Sequence, residues 1–317
     1  MASHFTFCER EILYRLLKAK KPKAEIARLM GRSRSTIYRE MKRNTGGCGY
    51  RPKQAQRKAD ERRLGCRREP KMSDPKLKSS VTRRLKQAWS PDQIARRLRR
   101  DARGNPRKRV SHQTIYAWIE QEAPELRSHL RRGGKRRSGP EKRGQLAGCV
   151  SIGGRPKAVD ARRRFGDWEG DTVVSPGRRS GLVTMVDRKS GYIRIRKTNS
   201  LKSEVTRQAA RRCLHDLPES LRRTMTLDNG KEFAEHERLA EDLDLDIYFA
   251  EPYASWQRGA NEHANGLLRQ FFPKGTDFAQ ISHQAVARAE KLLNERPRKR
   301  LDYRTPQEVL ANKLRCN

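Results

Sequence analysis

Met225-Thr-Leu-Asp-Asn-Gly-Lys-Glu-Phe233 and Arg258-Gly-Ala-Asn-Glu-His-Ala-Asn-Gly-Leu-Leu-Arg269 bound the stretch from Thr224 to Pro273 around which the rest of the chain is organised. The first phrase is an apolar run that ends in Asp228 and breaks at Gly230, as a strand does on reaching a turn. The second reads as the start of a helix carrying Glu262. Between the two acids lie 33 residues. A third acid, Asp171, stands upstream in Gly166-Asp-Trp-Glu-Gly-Asp-Thr-Val-Val174, at the edge of an apolar β-branched run. Two carboxylates on strands and one on a helix suit hard divalent cations. Such ions take a few carboxylates and complete their shells with water and substrate oxygens.

Working outward, Asp171–Val174, Gly181–Asp187 and Tyr192–Thr198 read as three strands joined by Gly-containing turns. Leu201 to Leu217 spaces Val205, Ala209 and Cys213 by four, a helical period. Met225–Leu227 gives a fourth strand, Lys231–Leu243 a helix, and Asp246–Ala250 a fifth strand. Helices over Asn261–Phe272 and Ser282–Asn294 follow. This is the order of a ribonuclease-H-like (integrase-type) α/β fold, a mixed sheet covered by helices. In such a sheet the first and fourth strands are neighbours, so Asp171 meets Asp228 across 56 intervening residues, and the Glu262 helix faces the same point. Three carboxylates at one point repel unless cations lie between them, which fits two Mg²⁺ ions, with Mn²⁺ as a substitute. Plainer readings stand beside this one. Asp, Asn and Gly crowd ordinary turns, Asp187 shows how common an acid at a strand end is, and Asp167 and Glu169 rival Asp171. Tyr253 or Ser255 is the covalent nucleophile of a different chemistry, without an Arg and His cluster at recognisable spacing to support it.

The other half of the chain supplies charge. Of a net +37 over 317 residues, residues 1–150 hold 42 Lys and Arg against 14 Asp and Glu, and residues 151–317 hold 32 against 23. So basic a front half calls for a polyanion, and nucleic acid fits. With no run of about 18 apolar residues, no membrane partner is expected. The N-terminus lacks the apolar core of a secretory signal, which points to the cytoplasm. The six cysteines are scattered without a C-x-x-C, so neither zinc-finger spacing nor a disulfide framework is present.

Residues 1–45 read as a helix-turn-helix domain. Thr6 and Glu9 have capping-box spacing, Pro22 breaks the first helix, Gly31 makes the turn, and Ser33 caps a third helix. That helix would enter the major groove with Arg34, Ser35, Thr36 and Arg39 near the DNA. Residues 46–75 read as a basic linker that touches phosphates, with Gln54–Arg68 as a candidate helix within it. Residues 76–126 form a second helix-turn-helix domain, in which Ser111-His-Gln-Thr-Ile-Tyr116 repeats Ser33-Arg-Ser-Thr-Ile-Tyr38, with Ile and Tyr on the packing side. His112, Gln113 and Thr114 are its candidate base contacts. The loop with Arg107, Lys108 and Arg109 reads as a β-wing or phosphate-gripping arm, and Trp89 and Trp118 as core. Residues 127–159 form a basic Gly/Pro linker, and residues 160–317 the α/β domain.

Several phrases resemble the bacterial insertion-sequence transposases of the IS-thirty family. They are Asp167-Trp-Glu-Gly-Asp171, Leu227-Asp-Asn-Gly-Lys-Glu-Phe233, Trp256-Gln-Arg-Gly-Ala-Asn-Glu262, Asn265-Gly-Leu-Leu-Arg-Gln-Phe-Phe-Pro273 and Asn294-Glu-Arg-Pro-Arg-Lys-Arg-Leu301. The two S-x-x-T-I-Y modules share the likeness, which covers essentially the whole chain. It implies a DDE transposase with Asp171, Asp228 and Glu262 as catalytic and metal-binding triad, and the 33-residue gap matches. Its implied partners are double-stranded DNA, both the terminal inverted repeats of a mobile element and target DNA. A homodimer or larger assembly on DNA, associated with the bacterial nucleoid, follows from the need to act on two ends. Lys231, Arg258, Arg269 and Lys274 are candidates to grip phosphates near the scissile bond. The alternatives are a phage-like integrase or nuclease with the same core, and a non-catalytic DNA-binding regulator.

Overall fold

The structure, a computed structural model, describes residues 4–66, 69–131, 148–251 and 254–315, without the side chains of Arg107, Ser255 and Trp256. The chain falls into two compact units, Met1–Ser73 and Asp74–Asn317.

The first unit holds α1 (Phe7–Lys18), α2 (Lys23–Leu29), α3 (Arg34–Asn44) and α4 (Pro52–Gly65). Both halves of the Thr6–Glu9 capping box form, and the Ser33 hydroxyl accepts the Thr36 N–H as the cap of α3. Leu13, Ile26 and Ile37 meet in the core with Tyr50 and Ala55. Beneath them Arg10 is paired with Glu40 at 2.8 Å, both buried, and the Tyr50 hydroxyl donates to the same carboxylate at 3.1 Å. The expected linker over 46–75 is therefore corrected in part. It contains α4, whose Ala55 enters this core and whose Gln56 accepts from Arg10. A 14-residue helix with one buried residue leaves no apolar period to read.

A second correction concerns the repeated S-x-x-T-I-Y phrase. Ile37 and Ile115 are fully buried, but Tyr38 and Tyr116 are exposed. Adjacent residues on a helix point about 100° apart, so both cannot face one core.

The second unit begins with α5 (Pro75–Lys86), α6 (Pro91–Asp101) and α7 (His112–Gln121). Ser90 and Ser111 cap α6 and α7, and Trp89 and Trp118 are buried as expected. The loop between α6 and α7 is not a β-wing; it closes with a 3-10 turn at Pro106–Lys108. Most of the expected second linker, residues 132–147, lies outside the described residues. Its last part is structured: Val150 accepts the Phe249 N–H at 2.9 Å, and α8 (Lys157–Asp160) follows.

Next come β1 (Asp167–Val174), β2 (Gly181–Asp187), β3 (Ile193–Thr198), α9 (Ser203–Leu214), β4 (Thr224–Leu227), α10 (His236–Leu243), β5 (Asp246–Phe249), α11 (Gly259–Leu268), α12 (His283–Asn294) and α13 (Pro306–Arg315). The sheet order is β3-β2-β1-β4-β5, antiparallel among the first three strands and parallel from β1 through β4 to β5. Alternation along β1 and β2 gives the sheet two apolar faces. Trp168, Val183, Met185, Met225 and Leu227 face α9 and α10. Val173, Leu182, Val186, Ile193 and Ile195 face α11 and α12. Glu169 and Asp171 share the register of Val173, so they point toward α11.

Gly170, between those two acids, has no room for a side chain. A Cβ there would run into Leu227, fully buried on β4, and lie 3.0 Å from the Met185 sulfur. Gly170→Ala is expected to lower unfolding stability by about 1–3 kcal/mol by overpacking this junction. Denaturant unfolding checks it, and a loss under about 0.5 kcal/mol would mean that β1 and β4 separate freely.

The helix α13 extends beyond the expected elements. Thr305 and Glu308 exchange backbone and side-chain bonds in a capping box at its start. The same Glu308 takes a bidentate grip from Arg97 of α6, at 2.8 and 2.6 Å. Gln93 of α6 donates to the Pro297 carbonyl and accepts from Arg296. The second helical module is thereby docked on the α/β domain. Among the described residues no helix is long and apolar enough to cross a membrane.

Candidate active site

Asp171 sits within β1, and Asp228 immediately follows β4, its parallel neighbour. The two carboxylates converge on one positive group. The Arg258 guanidinium, at the start of α11, lies 3.5 Å from Asp171 Oδ1 and 3.3 Å from Asp228 Oδ2. Arg258 Nη1 also approaches the Gly170 carbonyl, while its Nε is buried without a partner among the described residues. From α11, Asn265 donates to Asp171 Oδ2 at 2.6 Å, and the Thr172 N–H donates to Oδ1 at 2.9 Å. Burial pushes the Asp171 carboxyl up to about 6, Arg258 opposes the shift, and the like charge of Asp228 adds to it.

The rival acids are engaged elsewhere. Asp167 is held by Arg164 and the Thr224 hydroxyl. Glu169 takes Arg188 at 2.6 Å and the Asn261 N–H at 2.9 Å. Asp187 accepts from Ser190 and from the Gly166 N–H. Each therefore braces a strand end or the N-terminus of α11.

Glu262 is not gathered with the pair. It is exposed in the first turn of α11, and among the described residues no three acids, His or Cys lie close enough to share an ion. The position that touches Asp171 is Asn265, three residues on and about 60° round the helix from Glu262. Two of the three expected acids thus meet here, and α11 turns the Asn265 amide toward Asp171. Helix direction alone could have predicted that α11 crosses β1. It does not fix the rotation of α11 about its axis, which the Glu169 bond to Asn261 helps to set.

The fit to a divalent ion can be judged from the donors. Both groups are hard oxygen ligands, they face a common point, and that point now holds a cation of the protein's own. Arg258→Ala, by removing this competitor, is expected to tighten Mn²⁺ binding about ten-fold or more in titration calorimetry, since hydrogen bonds to charged groups are worth roughly 1.5–3 kcal/mol and about 1.4 kcal/mol is ten-fold. Equal affinity in both proteins would show that Arg258 does not guard the site.

The expected DNA contacts are spread over both units. Arg34, Ser35 and Arg39 are exposed on α3, with Thr36 half-buried through its bonds to Ser33. On α7, Gln113 is exposed, and His112 and Thr114 are half-buried. Lys108 is exposed and Arg109 half-buried. Lys231 and Lys274 are exposed; Arg269, half-buried, reaches the Pro273 carbonyl. Arg258 was expected on a phosphate and lies on the acids instead. Tyr38, flanked by Lys23 at 4.3 Å and Arg34 at 5.9 Å, and its counterpart Tyr116 are exposed residues beside these candidates. Tyr253 lies outside the described residues, as does the Ser255 side chain.

Residues 161–255 match the integrase core domain family, and residues 2–44 a helix-turn-helix domain family. A mixed sheet of this order with acids where its first and fourth strands meet belongs to the integrase-core class of polynucleotidyl transferases, which depend on divalent metal ions. Along its whole length the chain is 38% identical to the transposase for insertion sequence element IS4351 of Bacteroides fragilis, spanning 98% of that protein. Over 97% of its length it is 36% identical to transposase InsI for insertion sequence element IS30C of Escherichia coli (strain K12), spanning 83% of it. The crystal structure of the catalytic core domain of BIV integrase aligns at 16% identity and a TM-score of 0.37, over 48% of this chain and 97% of that one. The chain belongs to the IS30 (IS-thirty) family of insertion-sequence transposases.

Proposed function

We propose that this transposase binds the terminal inverted repeats of an insertion sequence, cleaves the DNA at those ends and joins them to target DNA, with Asp171, Asp228 and Glu262 as its triad. The observation that carries this reading is the bridging of Asp171 and Asp228 by Arg258 on adjacent strands of an integrase core. Two carboxylates sharing a cation are a site prepared for charge neutralisation. Asp171 and Asp228 would hold two Mg²⁺ ions, or Mn²⁺ in their place, with Glu262 as the third ligand. When bound, the ions supply the positive charge that activates the attacking oxygen and steadies the leaving one.

The remaining work falls to the chain itself. The helices α3 and α7 take hold of duplex DNA, with phosphates positioning and base edges specifying the site. Asn265 and the Thr172 N–H keep the Asp171 oxygens oriented. Arg258, displaced from the acids, is available to the scissile phosphate, and Lys231, Arg269 and Lys274 extend a basic border around it. Two ends require two active sites, so the working species is a homodimer or larger assembly on DNA in the bacterial cytoplasm, at the nucleoid.

The test uses the full chain and a labelled duplex bearing the repeat that flanks its coding sequence, with a second duplex as target. A labelled 3′ end joined to the target in Mg²⁺, and absent in EDTA, is the expected product. Nicking without joining would leave a nuclease, and binding alone would leave a regulator.

A further inference from the structure

A cavity of about 430 Å³ lies between α6, α11 and the segment after α12. Arg131, Arg162, Arg296, Arg298, Lys299 and Arg300 line it, and no Asp or Glu does. Its floor is made of small or apolar groups, among them Val186, Ala260, Ala264 and Leu267. The arginines are anchored without being neutralised. Arg296 is buried and donates to Gln93 and Gln270, both uncharged amides. Arg298, also buried, donates to the Leu293 carbonyl, and Arg300 to the carbonyls of Arg188 and Lys189. Among the described residues none of these three has a carboxylate partner within ion-pair distance.

Such crowding leaves its mark on the buried guanidiniums. Burial and the adjoining guanidiniums push Arg298 down to about 9 and Arg296 down to about 10. The acids whose field reaches Arg300, Asp187 and Glu169, are already bonded to Ser190 and to Arg188. Concentrating positive charge around a partly apolar hollow costs stability unless an anion fills it. Arginine, with its planar array of donors, is the side chain best shaped for phosphate.

We propose that this cavity is a phosphate clamp for the DNA backbone, built jointly by the second helical module and the α/β domain, with Arg296, Arg298 and Arg300 as its gripping residues. The volume exceeds what one phosphate fills, which leaves space for the adjoining sugar over the apolar floor. This rests on the transposase reading, and it assigns the strand a second hold apart from the Asp171–Asp228 pair.

The experiment measures binding of the full chain to a random-sequence duplex of about 30 base pairs by fluorescence anisotropy, in EDTA, across a salt series. A side chain that neutralises one phosphate contributes about one unit to the slope of log K against log salt. Arg298→Met and Arg131→Ala are each expected to make that slope shallower by about one. Arg212→Ala, on the outward side of α9, is expected to leave it unchanged. Arg298→Met is further expected to melt no lower than wild type without DNA, because it relieves repulsion. An unchanged slope for both pocket variants overturns the clamp. Should Arg298→Met fail to fold, Arg131→Ala, exposed and outside any helix, decides by the same slope. Stabilisation of wild type by inorganic phosphate with unchanged duplex slopes would instead mark a free-phosphate site and also overturn the proposal. Because the assay needs neither divalent ion nor the acids, a failed joining reaction leaves the clamp standing, and an unchanged slope leaves the reaction standing.

Discussion

Asp171→Asn and Asp228→Asn proteins are expected to bind DNA as wild type does while cutting and joining it slower by a factor on the order of a thousand or more. A change of that size corresponds to a loss of roughly 4 kcal/mol of transition-state stabilisation. Stability should move the other way. The Asp171 carboxyl is held near 6 against an ordinary 3.8, so its ionised form burdens the native state. Since the folded value is the higher one, that burden is full above about pH 6 and vanishes below about pH 4. Metal-free Asp171→Asn should therefore melt higher than wild type at pH 7, with the gap closing as the pH falls toward 4. Mn²⁺ should narrow it at pH 7 by stabilising wild type alone. Glu262→Gln extends the test to the exposed acid. A loss of rate comparable to the two aspartates would place it in the triad, whereas full activity would remove it. If the Asp171 and Asp228 amide variants also joined ends at full speed, the proposed chemistry would be wrong.

Arg10→Ala is expected to cost the first unit about 3–5 kcal/mol, the range for stripping one partner from a buried ion pair. Arg10 is tied to Glu40, to the Phe5 carbonyl and to Gln56, so its loss strands a buried carboxylate bonded to the Tyr50 hydroxyl. The Tyr50 hydroxyl, itself pushed well above its ordinary range by burial and by Glu40, cannot neutralise that charge. Urea unfolding of the full chain should show an early transition that wild type lacks, together with loss of duplex binding. Arg10→Met combined with Glu40→Leu should recover most of the loss, because no charge is then left unpaired. A single-variant loss below about 1 kcal/mol would mean that solvent reaches Glu40 after all.

The strands were readable because burial on both faces writes itself into sequence. Gly181–Asp187 is buried at all seven positions, and its bounds could be read directly. The neighbouring of Asp171 and Asp228 followed from strand order alone. Other features leave weaker traces. The helix α4 packs through Ala55 and polar groups, so nothing apolar repeats along it. Thr305-Pro-Gln-Glu308 is a legible helix start, yet its partner Arg97 stands 211 residues away by sequence and cannot be paired with it by pattern. The tyrosines of the two repeats were assigned inward by comparing phrases, where counting helix angles would have turned them outward. Arg258 was one basic residue among 74 Lys and Arg, and only its position between two acids sets it apart. The rotation of α11, on which the fate of Glu262 turns, depends on a bond between Glu169 and a backbone N–H that no spacing rule contains.

The joint of Arg97 with Glu308 and of Gln93 with Pro297 and Arg296 has a consequence for what the protein measures. A reading head bolted to the catalytic body cannot slide along the duplex independently of it. On the proposed reading, the interval between bases met by α7 and the bond that is broken would be a fixed gauge. Five extra base pairs in that interval, about half a turn of B-DNA, would carry the bond to the far side of the helix, whereas about ten would return it to the same side but one turn too distant. On that reading the ends of the element would be defined by length and helical phase as much as by sequence.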